Sequence, residues 1–238
     1  MTTTTTRDVP DTGQHLNQKL NRLRAGVLGA NDGIVSIAAV VVGVAAATSD
    51  ARTIAMAGLA AAVGGAISMA LGEYISVSSQ SDTEKAIIKK ESERLQADAH
   101  AVEKELVELY IAEGLSPETA QRAAEEVAAV DPLGASLEKV HGLDADSVVS
   151  PWQAALASLL AFAAGALIPL VAILLPGPGL RIQITFAATL VGLAATGVGA
   201  AAIGGAPRLR AATRTVVGGA LALMVTYVVG LLFGSTGA

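Results

Sequence analysis

The sequence predicts an all-α membrane protein: a bundle of five spanning helices, with a small cytosolic helical domain between spans two and three. The 238 residues are 52% hydrophobic and only 16% charged, with a mean hydropathy of +0.55, which is too apolar for an ordinary soluble domain. The apolar residues fall into five runs, each about as long as the roughly 20 residues that cross a bilayer core. Most acidic residues lie together in residues 82–146.

Composition also excludes several classes of site. The chain has no cysteine, so neither a disulfide nor a thiolate metal site can form. The net charge of −5 and the concentration of acid in one segment argue against nucleic-acid binding. The 25 glycines and the low aromatic content of 3% are typical of membrane helices that pack closely through small residues.

The first two spans are predicted to form a tight helical hairpin. Residues 1–20 are polar and lack the apolar core of a signal peptide, so we expect a disordered cytosolic tail. Three basic residues then precede the first apolar run, residues 25–47, and the positive-inside bias places the N-terminus in the cytosol. A polar turn at residues 48–52 leads to the second run, residues 53–77, which returns to the cytosolic side.

The acidic segment has the pattern of charged amphipathic helices. One helix is predicted over residues 82–114, with its last glycine as the C-terminal cap. The dipeptide Ser116-Pro117 supplies an N-cap and a first-turn proline for a second helix that ends near residue 130. A third, short helix covers residues 133–140, and residues 144–150 lead back to the membrane.

Three more apolar runs complete the bundle, at about residues 152–175, 182–206 and 211–233. Pro169 is expected to bend the third span. Three arginines between spans four and five place that loop in the cytosol, which leaves the C-terminus external. The predicted domains are the tail, residues 1–20; spans one and two, residues 21–77; the cytosolic acidic helical metal-binding domain, residues 78–150; and spans three to five, residues 151–238.

Asp32 is the most informative residue of the apolar runs. A carboxylate near mid-bilayer costs roughly 2.5–3.5 kcal/mol on insertion scales, so such residues usually mark an ion or proton path. Asp32 and Met69 each lie about eight residues from the cytosolic end of their runs, hence roughly 12 Å inside the boundary. Glu73 follows Met69 by one turn on the same face. The hydroxyl residues expected to pack between helices or to line this path are Ser36, Ser68 and Ser76.

A carboxylate and a thioether at one depth suit a borderline divalent transition metal better than Na⁺ or Ca²⁺, which prefer oxygen ligands alone. Because a cation and a proton compete for one carboxylate, such a site also provides antiport. The predicted transport pathway therefore comprises Asp32, Met69 and Glu73.

Four motifs carry a resemblance to a known family. They are Asn-Asp-Gly-Ile-Val-Ser at residues 31–36, Gly-Ala-Ile-Ser-Met-Ala-Leu-Gly-Glu-Tyr at 65–74, Gly-Ala-Leu-Ile-Pro-Leu at 165–170 and Thr-Tyr-Val-Val-Gly at 226–230. In these motifs and in the order of its spans the sequence resembles the vacuolar iron transporter (VIT) family. The resemblance implies a dimeric five-span protein that exports Fe²⁺, and often Mn²⁺, from the cytosol in exchange for protons, with Asp32 and Met69 on the pathway.

The resemblance further implies that glutamates of the acidic helices collect metal. Glu91 falls where the family has a metal-binding glutamate, but the partner position three residues later is Arg94, with Glu93 beside it. Glu105 and Glu108 form the expected Glu-x-x-Glu pair. The methionine pair and glutamate that some members place on the third short helix are absent. The predicted metal ligands are Asp32, Met69, Glu91, Glu93, Glu105 and Glu108.

Each candidate also has a simpler interpretation. Asp32 could cap a broken helix, Met69 could fill a core, and Glu73 could lie at the lipid headgroups. Any single glutamate of the acidic helices is more often part of a solvated face. His100 and His141 are expected at the surface rather than as ligands.

Three functions follow from these alternatives. The leading hypothesis is a non-enzymatic, proton-coupled exporter of Fe²⁺ and/or Mn²⁺ for metal homeostasis and detoxification, with no cofactor beyond its cargo. The second is a membrane-tethered divalent-metal-binding or iron-oxidising module without transport, whose signature would be repeated Glu-x-x-His pairs on four helices, a repeat that the sequence lacks. The third is a structural protein, which would not need Asp32. We expect the lipid bilayer, divalent metal ions and a second copy as partners, and a plasma-membrane location.

Overall fold

The computed structural model describes residues 12–143 and 150–235, and within the two terminal helices it describes side chains from residue 25 and up to residue 234. In these residues the chain forms eight α-helices. They are α1 Thr12–Ala47, α2 Ala51–Ala97, α3 Ala99–Ala112, α4 Pro117–Val130, α5 Pro132–His141, α6 Pro151–Leu174, α7 Arg181–Gly204 and α8 Arg208–Ser235.

Five of these helices, α1, α2, α6, α7 and α8, are long and apolar enough to cross a membrane. The prediction of an all-α protein with five spans is therefore confirmed for the described part of the chain. Three predictions concern segments that lie wholly or partly outside the described residues. These segments are residues 1–11 of the predicted tail, most of the link at residues 144–150, and the last three residues of the predicted external C-terminus. Helix α1 is described from Thr12, within the segment predicted as a tail.

The chain divides into two compact units. We call Met1–Tyr74 with Pro151–Ala238 the membrane unit, and Ile75–Ser150 the acidic unit. Helix α2 contributes its first part to the membrane unit and its remainder to the acidic unit.

Helix α1 is the centre of the membrane unit, because it packs against α6, α7 and α8. Its contact with α6 is made at the level of the backbone. A Cβ atom on Gly33 would overlap the carbonyl oxygen of Phe162 and lie 3.1 Å from the backbone nitrogen of Ala166. A Cβ atom on Gly165 of α6 would in turn meet the backbone of Ala30. Lipid supplies no hydrophobic force between helices, so this close approach supplies the van der Waals contact that joins them.

Larger apolar side chains fill the rest of the membrane unit. The main buried cluster contains Ile37, Val41, Ile54, Phe162 and other residues of α1, α2 and α6. A second cluster joins α1 to α8 through Ala38, Val42 and Leu223. These contacts hold fixed the stretch of α1 that carries the Asn-Asp-Gly sequence.

In the acidic unit, helix caps define the boundaries. Ser116 Oγ accepts a hydrogen bond from the backbone N–H of Thr119 at 3.3 Å, as expected of the predicted N-cap. Asp131 caps α5 in the same way, through the N–H of Gly134 at 2.9 Å. Gly142 ends α5 in the left-handed conformation, with φ of 62°. The second and third predicted helices are confirmed.

The single helix predicted over residues 82–114 is wrong, because the chain breaks it at Asp98. Asp98 has an extended φ of −154°, and its carboxylate accepts a hydrogen bond from the backbone N–H of Ala101 at 2.9 Å. An aspartate in this position satisfies the N-terminal amide of a new helix rather than continuing the old one. Helix α3 then packs on α4 and α5 around Leu106, Ala124 and Ala135.

Candidate functional site

The structure brings Asp32 and Met69 to the same cavity of the membrane unit, which has a volume of about 230 Å³. The depth count along the two apolar runs places both residues at one level, and the structure shows that they also lie on sides of α1 and α2 that line the same cavity. The wall is formed by α1, α2 and one residue of α6. The lining residues are Asp32, Ser36, Ile37, Val40, Ala61, Gly65, Ser68, Met69 and Phe162.

Asp32 is held from within its own helix. Ser36, one turn further along α1, donates a hydrogen bond from its hydroxyl to Oδ1 of Asp32 at 2.6 Å. Among the described residues no hydrogen bond to Oδ2 is formed, so this second oxygen is available to a ligand in the cavity. Helix α1 runs without interruption from Thr12 to Ala47, so Asp32 does not cap a broken helix. The simpler interpretation of this residue is thereby excluded.

Asn31, which precedes Asp32, lies on a different side of α1 and contacts α7. The hydroxyl of Thr196 on α7 donates a hydrogen bond to Oδ1 of Asn31 at 2.5 Å. Successive residues on a helix point about 100° apart, so one residue fastens α1 to α7 while the next faces the cavity. Thr196 was not predicted as a functional residue, since its only sequence signal is a hydroxyl within an apolar run.

Phe162 forms the floor of the cavity. Its side chain is 2% exposed and belongs to the main apolar cluster. It lies directly under Gly65 of α2, where an added Cβ atom would overlap the ring. The glycine therefore lets α2 approach the ring closely enough for Met69 and Asp32 to share one space.

Glu73 does not line this cavity. It is half-buried on α2, one turn beyond Met69 and next to Tyr74, whose ring lies 4.8 Å, centroid to centroid, from that of Trp152. A role for Glu73 on the pathway stays a prediction.

In the acidic unit the predicted ligands separate into two groups. Glu91 is buried, with 3% of its surface exposed, and Glu105 is half-buried. Arg94 joins them: its guanidinium lies 3.4 Å from Oε1 of Glu91 and also pairs with Oε2 of Glu105. Glu93 and Glu108 are exposed, and Glu93 has only Lys89 at 3.9 Å as an ion-pair partner.

Two residues of α5 complete the surroundings of Glu91. Ser136 donates a hydrogen bond to Oε1 at 2.6 Å, and Nε2 of His141 lies 3.5 Å from Oε2. His141 is exposed, as expected, but the sequence predicts neither its contact with Glu91 nor that of Ser136. Within the described residues of one chain, no three His, Asp or Glu side chains are grouped as a metal site. Metal binding by the four glutamates stays a prediction.

A second ion pair lies nearby on α5. Nζ of Lys139 donates to both carboxylate oxygens of Glu113, each at 3.0 Å, and lies 4.9 Å from the centroid of the Tyr110 ring. The hydrogen bond from the ammonium group to Glu113 raises the pKa of Lys139. This pair ties the end of α3 to α5.

Comparison with known proteins gives the same family as the sequence motifs. The family model described as the VIT family matches residues 23–231. The chain belongs to the VIT family. Its relatives include a "Vacuolar iron transporter homolog 2" of Oryza sativa subsp. japonica, 36% identical over 212 residues, which cover 89% of this chain and 90% of the relative. A "Vacuolar iron transporter" of Acanthamoeba castellanii is 39% identical over 211 residues, covering 88% and 78%.

These relatives correct one prediction for the VIT-family chain. The sequence analysis expected a plasma-membrane location, whereas the relatives from rice, Arabidopsis thaliana and Acanthamoeba are all named as vacuolar iron transporters or their homologues. Their names imply an intracellular vacuolar membrane, so the plasma-membrane prediction is wrong. The error arose because the absence of a recognisable sorting signal was taken as evidence for the cell surface. The sequence of a membrane-spanning helix indicates that the protein lies in a bilayer, but it does not indicate which cellular membrane that is.

Proposed function

We propose that this VIT-family chain exports Fe²⁺ and/or Mn²⁺ from the cytosol by antiport with protons, for metal homeostasis and detoxification. The observation that carries the proposal is the cavity shared by Asp32 and Met69 in the membrane unit. The names of the relatives support iron as cargo and a vacuole-like compartment as its destination. The metal is transported and not transformed, so no enzymatic step is required.

The chemistry of the cavity supports a divalent transition metal. Asp32 offers a hard carboxylate oxygen, and Met69 offers a soft thioether sulfur. A borderline cation such as Fe²⁺ accepts such mixed ligands, whereas Ca²⁺ and Mg²⁺ select for oxygen alone and Mn²⁺ also favours oxygen. The hydroxyls of Ser36 and Ser68 line the same cavity and supply further oxygen ligands for an ion that has lost its water.

The antiport step follows from the competition for Asp32. A metal ion and a proton compete for the one carboxylate of Asp32, whose Oδ1 accepts a hydrogen bond from Ser36 and whose Oδ2 has no hydrogen-bond partner among the described residues. At a single carboxylate, binding one positive charge disfavours the other. Release of metal therefore leaves a carboxylate that takes up a proton, and the proton returns the site to its neutral form.

A homodimer is part of the proposal. Asp32 is exposed at the surface of the single chain, although it lies within a membrane-spanning helix. A carboxylate facing lipid would cost roughly 2.5–3.5 kcal/mol on insertion scales, and a second copy that covers the opening of the cavity would remove that exposure.

The proposal includes a membrane topology. The basic residues around the spans place the N-terminus in the cytosol and the C-terminus on the side of the membrane away from the cytosol.

Flux through proteoliposomes tests the proposal. The full chain is reconstituted with a set pH gradient, and Mn²⁺ uptake is measured for the parent, Asp32→Asn and Met69→Leu. Met56→Leu is the matched control, since Met56 lies on the same helix but is 62% exposed away from the cavity. We expect Asp32→Asn to abolish pH-driven flux, Met69→Leu to reduce it about tenfold or more by loss of one ligand, and Met56→Leu to transport normally.

Normal pH-driven flux in Asp32→Asn would refute the antiport mechanism. A parent chain that binds Mn²⁺ but gives no flux under any gradient would favour the membrane-tethered metal-binding module instead.

A further inference from the structure

Each oxygen of the buried Glu91 carboxylate already has a partner. It is 3% exposed, and a buried charge is tolerated only where it is paired and hydrogen-bonded. Its Oε1 accepts a hydrogen bond from Ser136 at 2.6 Å and lies 3.4 Å from the guanidinium of Arg94, and its Oε2 faces Nε2 of His141 at 3.5 Å. Donors from two helices thus occupy both oxygens.

Arg94 connects this buried group to a second carboxylate. One guanidinium nitrogen faces Glu91 and the other pairs with Glu105 on α3. A planar guanidinium with five fixed donors is suited to bridging two carboxylates, and it stays charged at every physiological pH. The two acidic groups are therefore held together by one internal cation that joins α2 to α3.

A divalent metal ion would have to displace this cation. If Arg94 stayed in place, the metal ion would lie within a few ångströms of a fixed positive charge. The metal ion would also need several more oxygen ligands than Glu91 and Glu105 provide. His141 is a further side chain of a metal-ligating type beside Glu91, yet within the described residues no three His, Asp or Glu side chains are grouped as a metal site. Both the positive charge of Arg94 and the small number of ligands disfavour binding of a metal ion between Glu91 and Glu105.

We infer that Arg94 occupies the place between Glu91 and Glu105 that a divalent metal ion would otherwise take. Helices α2 and α3 are then joined in the acidic unit by this arginine and not by a metal ion. This inference goes beyond the proposed transport function and is independent of it, because all of its residues belong to the acidic unit. It also reverses the expectation, drawn from the family resemblance, that Glu91 and Glu105 are metal ligands.

Metal binding to the full chain in detergent tests the inference. The number of Mn²⁺ ions bound per chain is measured by electron paramagnetic resonance of the free ion, for the parent, Glu105→Gln and Arg94→Ala. The parent and Glu105→Gln are expected to bind the same number. Arg94→Ala is expected to bind about one ion more, because it removes the repelling cation and leaves two unpaired carboxylates beside His141, with water supplying the remaining ligands. The double variant with Glu105→Gln should lose that gain.

Lys89→Ala is the matched control, since Lys89 lies on the same helix and pairs with the exposed Glu93 at 3.9 Å. It removes one positive charge without opening a buried pair, so it should bind as the parent does. A lower number of ions in Glu105→Gln than in the parent would overturn the inference, and so would a folded Arg94→Ala chain that gains none. If Arg94→Ala does not fold, the comparison of the parent with Glu105→Gln decides alone.

Discussion

Replacing Gly33 by alanine would separate the two helices that hold Asp32 in place. The added Cβ atom would overlap the carbonyl oxygen of Phe162 and lie 3.0 Å from its carbonyl carbon. Carbon atoms in ordinary contact are about 3.5–4.0 Å apart, so α1 and α6 would have to move apart by roughly 0.5–1 Å. The obstacle is backbone and cannot rotate away as a side chain could.

Such overpacking costs about 1–3 kcal/mol. For a chain of this size, that cost corresponds to a fall in the midpoint of thermal unfolding of roughly 2–12 °C. Because the preceding residue is Asp32, we also expect Mn²⁺ flux to fall more than the stability loss explains. Displacement of a ligand by a fraction of an ångström is enough to change metal affinity.

The assay is thermal unfolding of the purified chain in detergent, followed by flux in proteoliposomes below the unfolding midpoint. Gly26→Ala is the control, since Gly26 lies on the same helix and a Cβ atom there would meet nothing within 4 Å. Alanine is the better helix former, so this control should be unchanged or slightly more stable. An equal midpoint for Gly33→Ala and Gly26→Ala would refute the claim of backbone contact between α1 and α6.

Three further predictions concern the other contacts. Asp131→Ala removes the N-cap of α5 at a cost of about 1 kcal/mol, so hydrogen exchange of the α5 amides should be roughly fivefold faster, and unchanged exchange would contradict the cap. Thr196→Val leaves Asn31 without its hydroxyl donor and should destabilise the chain by about 1–3 kcal/mol, whereas Thr196→Ser should retain the parent's thermal midpoint. The raised pKa of Lys139 means that its pairing with Glu113 stabilises the fold fully below the ordinary value of 10.5, and that this contribution is lost as the pH rises through the raised value. Since the pair is partly exposed, Glu113→Gln should lower the thermal midpoint by an amount worth under about 1 kcal/mol at pH 8, and the difference between variant and parent should shrink as the pH rises beyond 10.5; a difference that does not change with pH would count against the pair.

The sequence predicted those features that depend on spacing along one helix. The fixed rise per residue places Asp32 and Met69 at one depth, and the structure puts both on one cavity. The same holds for the helix cap at Ser116, whose signal is local. Both kinds of inference need only the geometry of a single element.

The features that the sequence analysis missed depend on contacts between distant residues. Nothing local separates Glu91, which is buried, from Glu93, which is exposed, because burial is decided by α5 some 45 residues later along the chain. Thr196 and Asn31 are 165 residues apart. At Asp98 the amphipathic pattern continues across the break, and only the extended backbone reveals the cap.

The apolar cluster beside the cavity should prevent protons from leaking through the chain and so keep the membrane electrically insulating. Ile37, Val41, Ile54 and Phe162 are almost wholly buried and lie against one another between α1, α2 and α6. Water does not occupy closely packed apolar interiors, and a proton needs a chain of water or polar groups to cross. An idle chain should therefore conduct no measurable current, so that a compartment holding a pH gradient can keep many copies in its membrane without discharging it.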